Sequence, residues 1–187
     1  MRRVKSMKAT GIVRRIDDLG RVVIPKEIRR TMRIHEGDPL EIYTSSDGEV
    51  IFKKYSVIGE MGHNASQVAD IMYKLAGCPV VVFDRDHVVA AAGVHKREYL
   101  ERRVSPALEE IFESRRAYFA EQENAKPLLP IEGLDRRALT VVPIISSGDC
   151  TGAVALVATD DKSKATPEHE MLARAAAMFL GKQGEGA

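Results

Sequence analysis

Between Gly11 and Arg30 the chain carries five arginines, Arg14, Arg15, Arg21, Arg29 and Arg30, set among β-branched residues. A guanidinium stays charged at physiological pH, has no acceptor, and presents a planar fork of donors that fits phosphate oxygens. For one arginine, solvated surface charge is the default reading. Five in a run of 20 residues point instead to a polyanion, and the chemistry they suit is neutralisation of double-stranded DNA.

Such side chains need a scaffold. Residues 10–17 and 21–24 are rich in β-branched types and read as strands joined across Asp17-Asp18-Leu19-Gly20, a sequence suited to tight reversal. Asp17 is expected to form the turn or to hold a neighbouring arginine by an ion pair. Pro25 ends strand pairing and suits the first position of a helix. In a helix over residues 26–33, Lys26, Arg29, Arg30 and Arg33 share one face while Ile28 and Met32 share another. Residues 40–44 and 49–55 read as a hairpin across Ser45-Ser46-Asp47-Gly48. Val22-Val23-Ile24 and Val50-Ile51-Phe52 are continuous apolar runs, so both strand faces need cover that one short chain cannot supply. An obligate homodimer is expected.

Lys8 to Thr31, together with Gly37 to Tyr43 and Glu49 to Tyr55, resembles the AbrB family of bacterial transition-state regulators without a gap from Met7 to Ser56. The resemblance implies an all-β swapped-hairpin barrel made by two chains, with one short helix per chain. It implies that Arg14, Arg15, Arg21, Arg29 and Arg30 face DNA, with Lys8 as a weaker candidate. It also implies reading of DNA shape and flexibility, often at A·T-rich promoters, more than of a base code. Residues 1–6 lie upstream of the usual family start and read as a native basic arm, an alternative start or a cloning scar.

Net charge hides this reading, since the chain holds 28 basic and 27 acidic residues. Cut after Lys54, the first part has 13 basic against 8 acidic residues, leaving 15 against 19, so the two parts carry +5 and −4. No apolar stretch approaches membrane-spanning length and no secretory signal opens the chain, so a cytoplasmic, nucleoid-associated protein is expected. Cys78 and Cys150 lack metal-site spacing and read as small buried residues. His35, His63, His87, His95 and His169 are scattered and read as surface or turn histidines. No phosphate loop, metal-ligand set or nucleophile, base and acid set is present, so neither enzyme activity nor a cofactor is expected.

The second half reads as helix 56–76, strands 79–84 and 87–92, helices 96–103 and 106–114, strands 139–145 and 151–159, and a last helix opened by Thr166 as N-cap and Pro167. This is an α+β domain with an antiparallel sheet. Met61, Ala65, Val68, Met72 and Leu75 are spaced as a coiled-coil seam, and a helix lying on its own sheet fits the same spacing. In the last helix Leu172, Ala175, Ala176 and Phe179 fit one face. Val142-Pro-Ile144 with Thr151 to Val157 resembles the closing hairpin of GAF domains. That resemblance implies a sensory module, for which Arg115, Arg116, Tyr118, Arg136 and Arg137 are candidates to meet an anionic small molecule. Solvated loop charges around a ligandless core account for them equally.

The expected organisation is an extension 1–6, a DNA-binding domain 7–56, a linker or oligomerisation helix 57–76 and a GAF-like domain 77–187 that takes 57–76 as its first helix. The whole chain resembles two-domain AbrB-type proteins of spore-forming bacteria. This implies a transcription regulator of sporulation genes, activator and repressor, whose dimers pair into a homotetramer through the helices 56–76 or 166–182. Two other readings fit: an antitoxin-like protein that neutralises a toxin, or chiefly a metabolite sensor.

Overall fold

The computed structural model describes residues 9–121 and 126–185. The chain divides between Tyr55 and Ser56 into two compact units.

In the N-terminal unit, residues 9–24 form no strand ladder, so the two strands expected there are absent from the single chain. The reversal between them is present: the Asp17 N–H donates to the Arg21 carbonyl at 3.1 Å and the Gly20 N–H to the Asp17 carbonyl at 3.0 Å. A ladder needs a second row of paired backbone groups, and among the described residues none is paired along this segment beyond the reversal itself. Helix α1 (Lys26–Met32) follows, with Pro25 as its N-cap rather than its first residue. Arg33 adopts φ 51° and closes the helix, one residue before the expected end. Strands β1 (Leu40–Thr44) and β2 (Val50–Lys54) pair antiparallel with Ile42 opposite Phe52.

Pro25 is the one buried residue of this unit among those described. Val13 is 85%, Val23 70% and Ile42 62% exposed. Among the described residues, the apolar runs that demanded cover on both faces remain partly or fully exposed.

The second unit has helices α2 (Val57–Glu60) and α3 (Gly62–Ala76), strands β3 (Val80–Asp84) and β4 (Val88–Ala92), and helices α4 (Lys96–Tyr99) and α5 (Pro106–Ser114). Strands β5 (Tyr118–Phe119), β6 (Ala138–Ser146) and β7 (Asp149–Val157) follow, and helix α6 (Pro167–Gly184) ends it. The sheet order is β4-β3-β7-β6-β5, antiparallel throughout. Val80 and Val82 face α2, α3 and α6. Val81 and Phe83 face α4, α5 and the segment around Leu128 and Ile131. Both faces are covered, which is why β3 and β7 read as unbroken apolar runs.

Three details differ from expectation, and one open alternative is decided. The helix expected over 56–76 breaks at Met61, where Gly59 and Gly62 weaken it, and Ser56 caps the first piece by accepting the Gly59 N–H at 2.9 Å. Helix α3 buries Ala65, Ala69 and Met72 against its own sheet and leaves Leu75 exposed, so the intramolecular alternative holds. Helix α4 stops at Tyr99 because Glu101 turns to φ 63° and residues 101–102 bond back to Val88. Helix α6 buries Ala173, Ala176, Ala177, Leu180 and Gly181, while Ala175 and Phe179 face outward. The buried face is rotated from the expected one, keeping Ala176 and adding Ala173, Ala177, Leu180 and Gly181, because small residues at most of these positions allow the helix to approach the sheet closely.

Helix α6 lies so close to β6 that a Cβ on Gly181 would stand 2.2 Å from the Ile145 carbonyl oxygen. Gly181→Val is therefore expected to lower the stability of this unit by about 1–3 kcal/mol through overpacking, and Thr166→Ala by about 1 kcal/mol through loss of the N-cap. Denaturant unfolding of the full chain measures both.

Candidate nucleic-acid interface

The hairpin tip is organised by one carboxylate. Asp17 Oδ1 accepts the Leu19 and Arg21 N–H groups at 3.0 and 2.8 Å, and Oδ2 accepts Arg21 Nε at 2.9 Å. These contacts hold the Asp17 carboxyl below its usual value, first through the Arg21 backbone N–H and then through its side chain. Both readings of Asp17 therefore hold together: it forms the turn and pairs with Arg21.

Arg14 and Arg15 stand exposed on the arm before α1, and Arg29 and Arg30 on α1. Lys8 lies outside the described residues. Helix α1 is fixed at its C-terminal end by Lys54, whose Nζ donates to the Arg33 carbonyl at 2.8 Å and lies 3.9 Å from Asp38 Oδ2. Asp38 in turn accepts the His35 N–H at 2.8 Å. Lys54 thus anchors the basic helix to β2, a role that strand periodicity could not reveal because it depends on where the helix ends. Lys53 is also engaged, with Nζ 4.0 Å from the centroid of the Tyr43 ring.

The five residues considered for an anionic ligand of the second unit are not gathered into one site. Arg115 Nη1 donates to the Gly148 carbonyl at 2.7 Å, and its Nη2 lies 3.7 Å from Asp149, so it holds the β6–β7 turn. Arg136 Nη1 donates to the Ala158 and Thr159 carbonyls at 2.9 Å each. Arg137 Nη2 donates to the carbonyls of Asp161 and Ser163. These two hold the loop after β7, at the other end of that strand. Tyr118 donates its hydroxyl to the Lys126 carbonyl at 3.1 Å, and burial raises its pKa. Arg116 is exposed. Three of the four arginines thus spend donors on loop carbonyls, which their charge and sequence position do not disclose.

His169 was missed. Its N–H and the Thr166 hydroxyl, and its Nδ1 and the Thr166 N–H, form a capping box with both contacts at 3.3 Å. The other ring nitrogen, Nε2, lies 3.3 Å from the Ala76 carbonyl at the end of α3. The signal was the Thr-x-x-His spacing, read without a histidine in the place where glutamate is usual. Cys78 Sγ lies 3.9 Å from the same nitrogen, and burial pushes its thiol up to about 11. That leaves it protonated and unreactive. Among the described residues, no cluster of three or more His, Cys, Asp or Glu could hold a metal ion, and no helix is long and apolar enough to cross a membrane.

Residues 60–185 match the family described as stage V sporulation protein T C-terminal, transcription factor. Residues 13–58 match the one described as antidote-toxin recognition MazE, bacterial antitoxin. Stage V sporulation protein T of Bacillus subtilis is 48% identical over 181 residues, 96% of this chain and 99% of that protein. The transition state regulatory protein AbrB of the same organism is 50% identical over 82 residues, 41% of this chain and 77% of AbrB. A solved GAF domain/HD domain protein from Geobacter sulfurreducens covers 69% of this chain and 94% of its own, with a TM-score of 0.51 at 13% identity, a likeness of fold.

An AbrB-type unit followed by a GAF-type domain with an antiparallel sheet is the architecture of a two-domain regulator. Identity over nearly the whole length carries the assignment further: the chain belongs to the stage V sporulation protein T family.

The lowered pKa of Asp17 means that its contacts are present above the ordinary carboxylate range and are lost only as pH falls through the lowered value. Carbon-13 titration of the Asp17 carboxyl should give a midpoint below the 3.8 of a free aspartate, and a midpoint at or above that value would contradict the pairing.

Proposed function

We propose that this protein is a DNA-binding transcription regulator of sporulation genes, able to activate and to repress. The observation that carries the reading is a unit with five clustered arginines and a single buried residue among those described, in a chain 48% identical to a sporulation regulator. A second copy interlocks with the hairpins of the first, covers Val13, Val23 and Ile42, and doubles the arginine set. Arg14, Arg15, Arg21, Arg29 and Arg30 neutralise phosphates of the duplex and follow its shape. Lys8 adds a further cation.

The outward faces of α3 and α6 carry Ile71, Leu75, Met171, Met178 and Phe179, exposed by 57%, 66%, 64%, 73% and 50%. Apolar surface of this kind on neighbouring helices marks an association face, and pairing there raises dimers to tetramers. The GAF-type domain modulates DNA binding from the acidic half of the chain, with no ligand assigned to its arginines.

The match of residues 13–58 to an antitoxin family supports a second reading, toxin neutralisation. The relative that spans 96% of the chain favours the regulator, and stoichiometric capture of a small ribonuclease would reverse that order.

A dimer making roughly six to ten phosphate contacts should lose about a thousandfold or more in DNA affinity between low and moderate salt. Arg21→Ala and Arg29→Ala should each weaken binding at all sequences, as read by fluorescence anisotropy. A salt-indifferent Kd, or full binding by both variants, would refute the reading. Light scattering should give a tetramer that Met178→Glu reduces to a dimer. A monomer would refute the interlocked hairpins.

A further inference from the structure

A carboxylate at a phosphate-binding tip carries an electrostatic penalty, because it repels the polyanion that the surrounding arginines attract. Asp17 sits at such a tip, beside Arg14 and Arg15 in sequence. Two of its three side-chain hydrogen bonds are explained by the turn, since Oδ1 receives the Leu19 and Arg21 N–H groups. An asparagine would serve the turn equally well. The third is not explained by the turn: Oδ2 is spent on the Arg21 Nε at 2.9 Å.

Only one of the five guanidinium nitrogen–hydrogen bonds of Arg21 is used in that contact. Its side chain remains 68% exposed, and its Nη1 and Nη2 make no contact with a described residue. A guanidinium so held keeps a forked edge directed outward and loses less conformational freedom when a phosphate arrives. Arg14, Arg15, Arg29 and Arg30 have no such side-chain partner among the described residues.

We propose that Asp17 is a positioning residue for DNA binding, which aims the Nη edge of Arg21 at the duplex and thereby more than offsets its own repulsion. The inference rests on the reading of Arg21 as a DNA contact, and its consequence runs against simple charge counting. Removing an acid from a DNA-binding face ordinarily tightens binding, whereas removing this one weakens it.

The test uses the full-length protein and a fluorescein-labelled A·T-rich duplex. Asp17→Asn keeps the acceptor that the turn needs and replaces Oδ2 with a donor. It is expected to weaken binding about two- to tenfold, the range for re-ordering one arginine side chain, with thermal midpoint and oligomeric state unchanged. In the Arg21→Ala background the same substitution should cause no further loss, because its effect passes through Arg21.

Equal or tighter binding by Asp17→Asn, with Arg21→Ala weakened, would overturn the proposal and leave the DNA reading intact. A silent Arg21→Ala would instead remove the DNA reading of Arg21 itself. If Asp17→Asn fails to fold, exchange of the Arg21 Nε–H in the unaltered protein decides. Exchange slower than at Arg14 and Arg15 supports the proposal, and an equal rate overturns it.

Discussion

Ordering one backbone residue costs about 1–2 kcal/mol, and offsetting that by apolar burial takes on the order of 40–80 Å² per residue. The second unit meets this requirement with a sheet covered on both faces. The first does not, since Pro25 alone is buried among its described residues. Every property assigned to the arginines depends on how that deficit is met, because an arm whose apolar side chains face water has no reason to hold its cations at fixed spacing. On the reading proposed above, a second copy of the arm supplies both the missing ladder and the missing cover. Assembly and DNA recognition are, on that reading, one process, and a solvent or substitution that weakens the first weakens the second.

The same constraint explains what could be read from the sequence. Runs such as Val22-Val23-Ile24 disclosed that two faces need cover, but not that the backbone would remain without strand partners in one chain. Turn chemistry at residues 17–20 and 45–48, and the start of α6 at Thr166 and Pro167, were legible because they depend on neighbours within four residues. The face of α6 was not, since it is chosen by how near β6 can approach. The close passage of Gly181 over Ile145 favours the small side chains over Phe179. The arginines were legible as a set, while the partners of Arg115, Arg136 and Arg137 were not, because their carbonyls belong to segments 22–33 residues away.

Histidine at position 169 shows how a polar residue can join elements that packing alone would leave free to slide. Its ring satisfies an N–H at the start of α6 and faces a carbonyl at the end of α3. The two helices are thereby registered end against end on the same sheet face. Arg136 and Arg137 act similarly for the loop that leads into α6, so both approaches to this helix are tied to backbone carbonyls rather than to other side chains.

The two sides of α6 consequently tolerate substitution differently. Growth at Ala173, Ala177 or Gly181 meets the interior of the domain, where these residues are buried. Exchange at Met171, Ala175 or Met178 leaves that interior untouched. The exposed side of the helix can therefore be recomposed without rebuilding the domain beneath it.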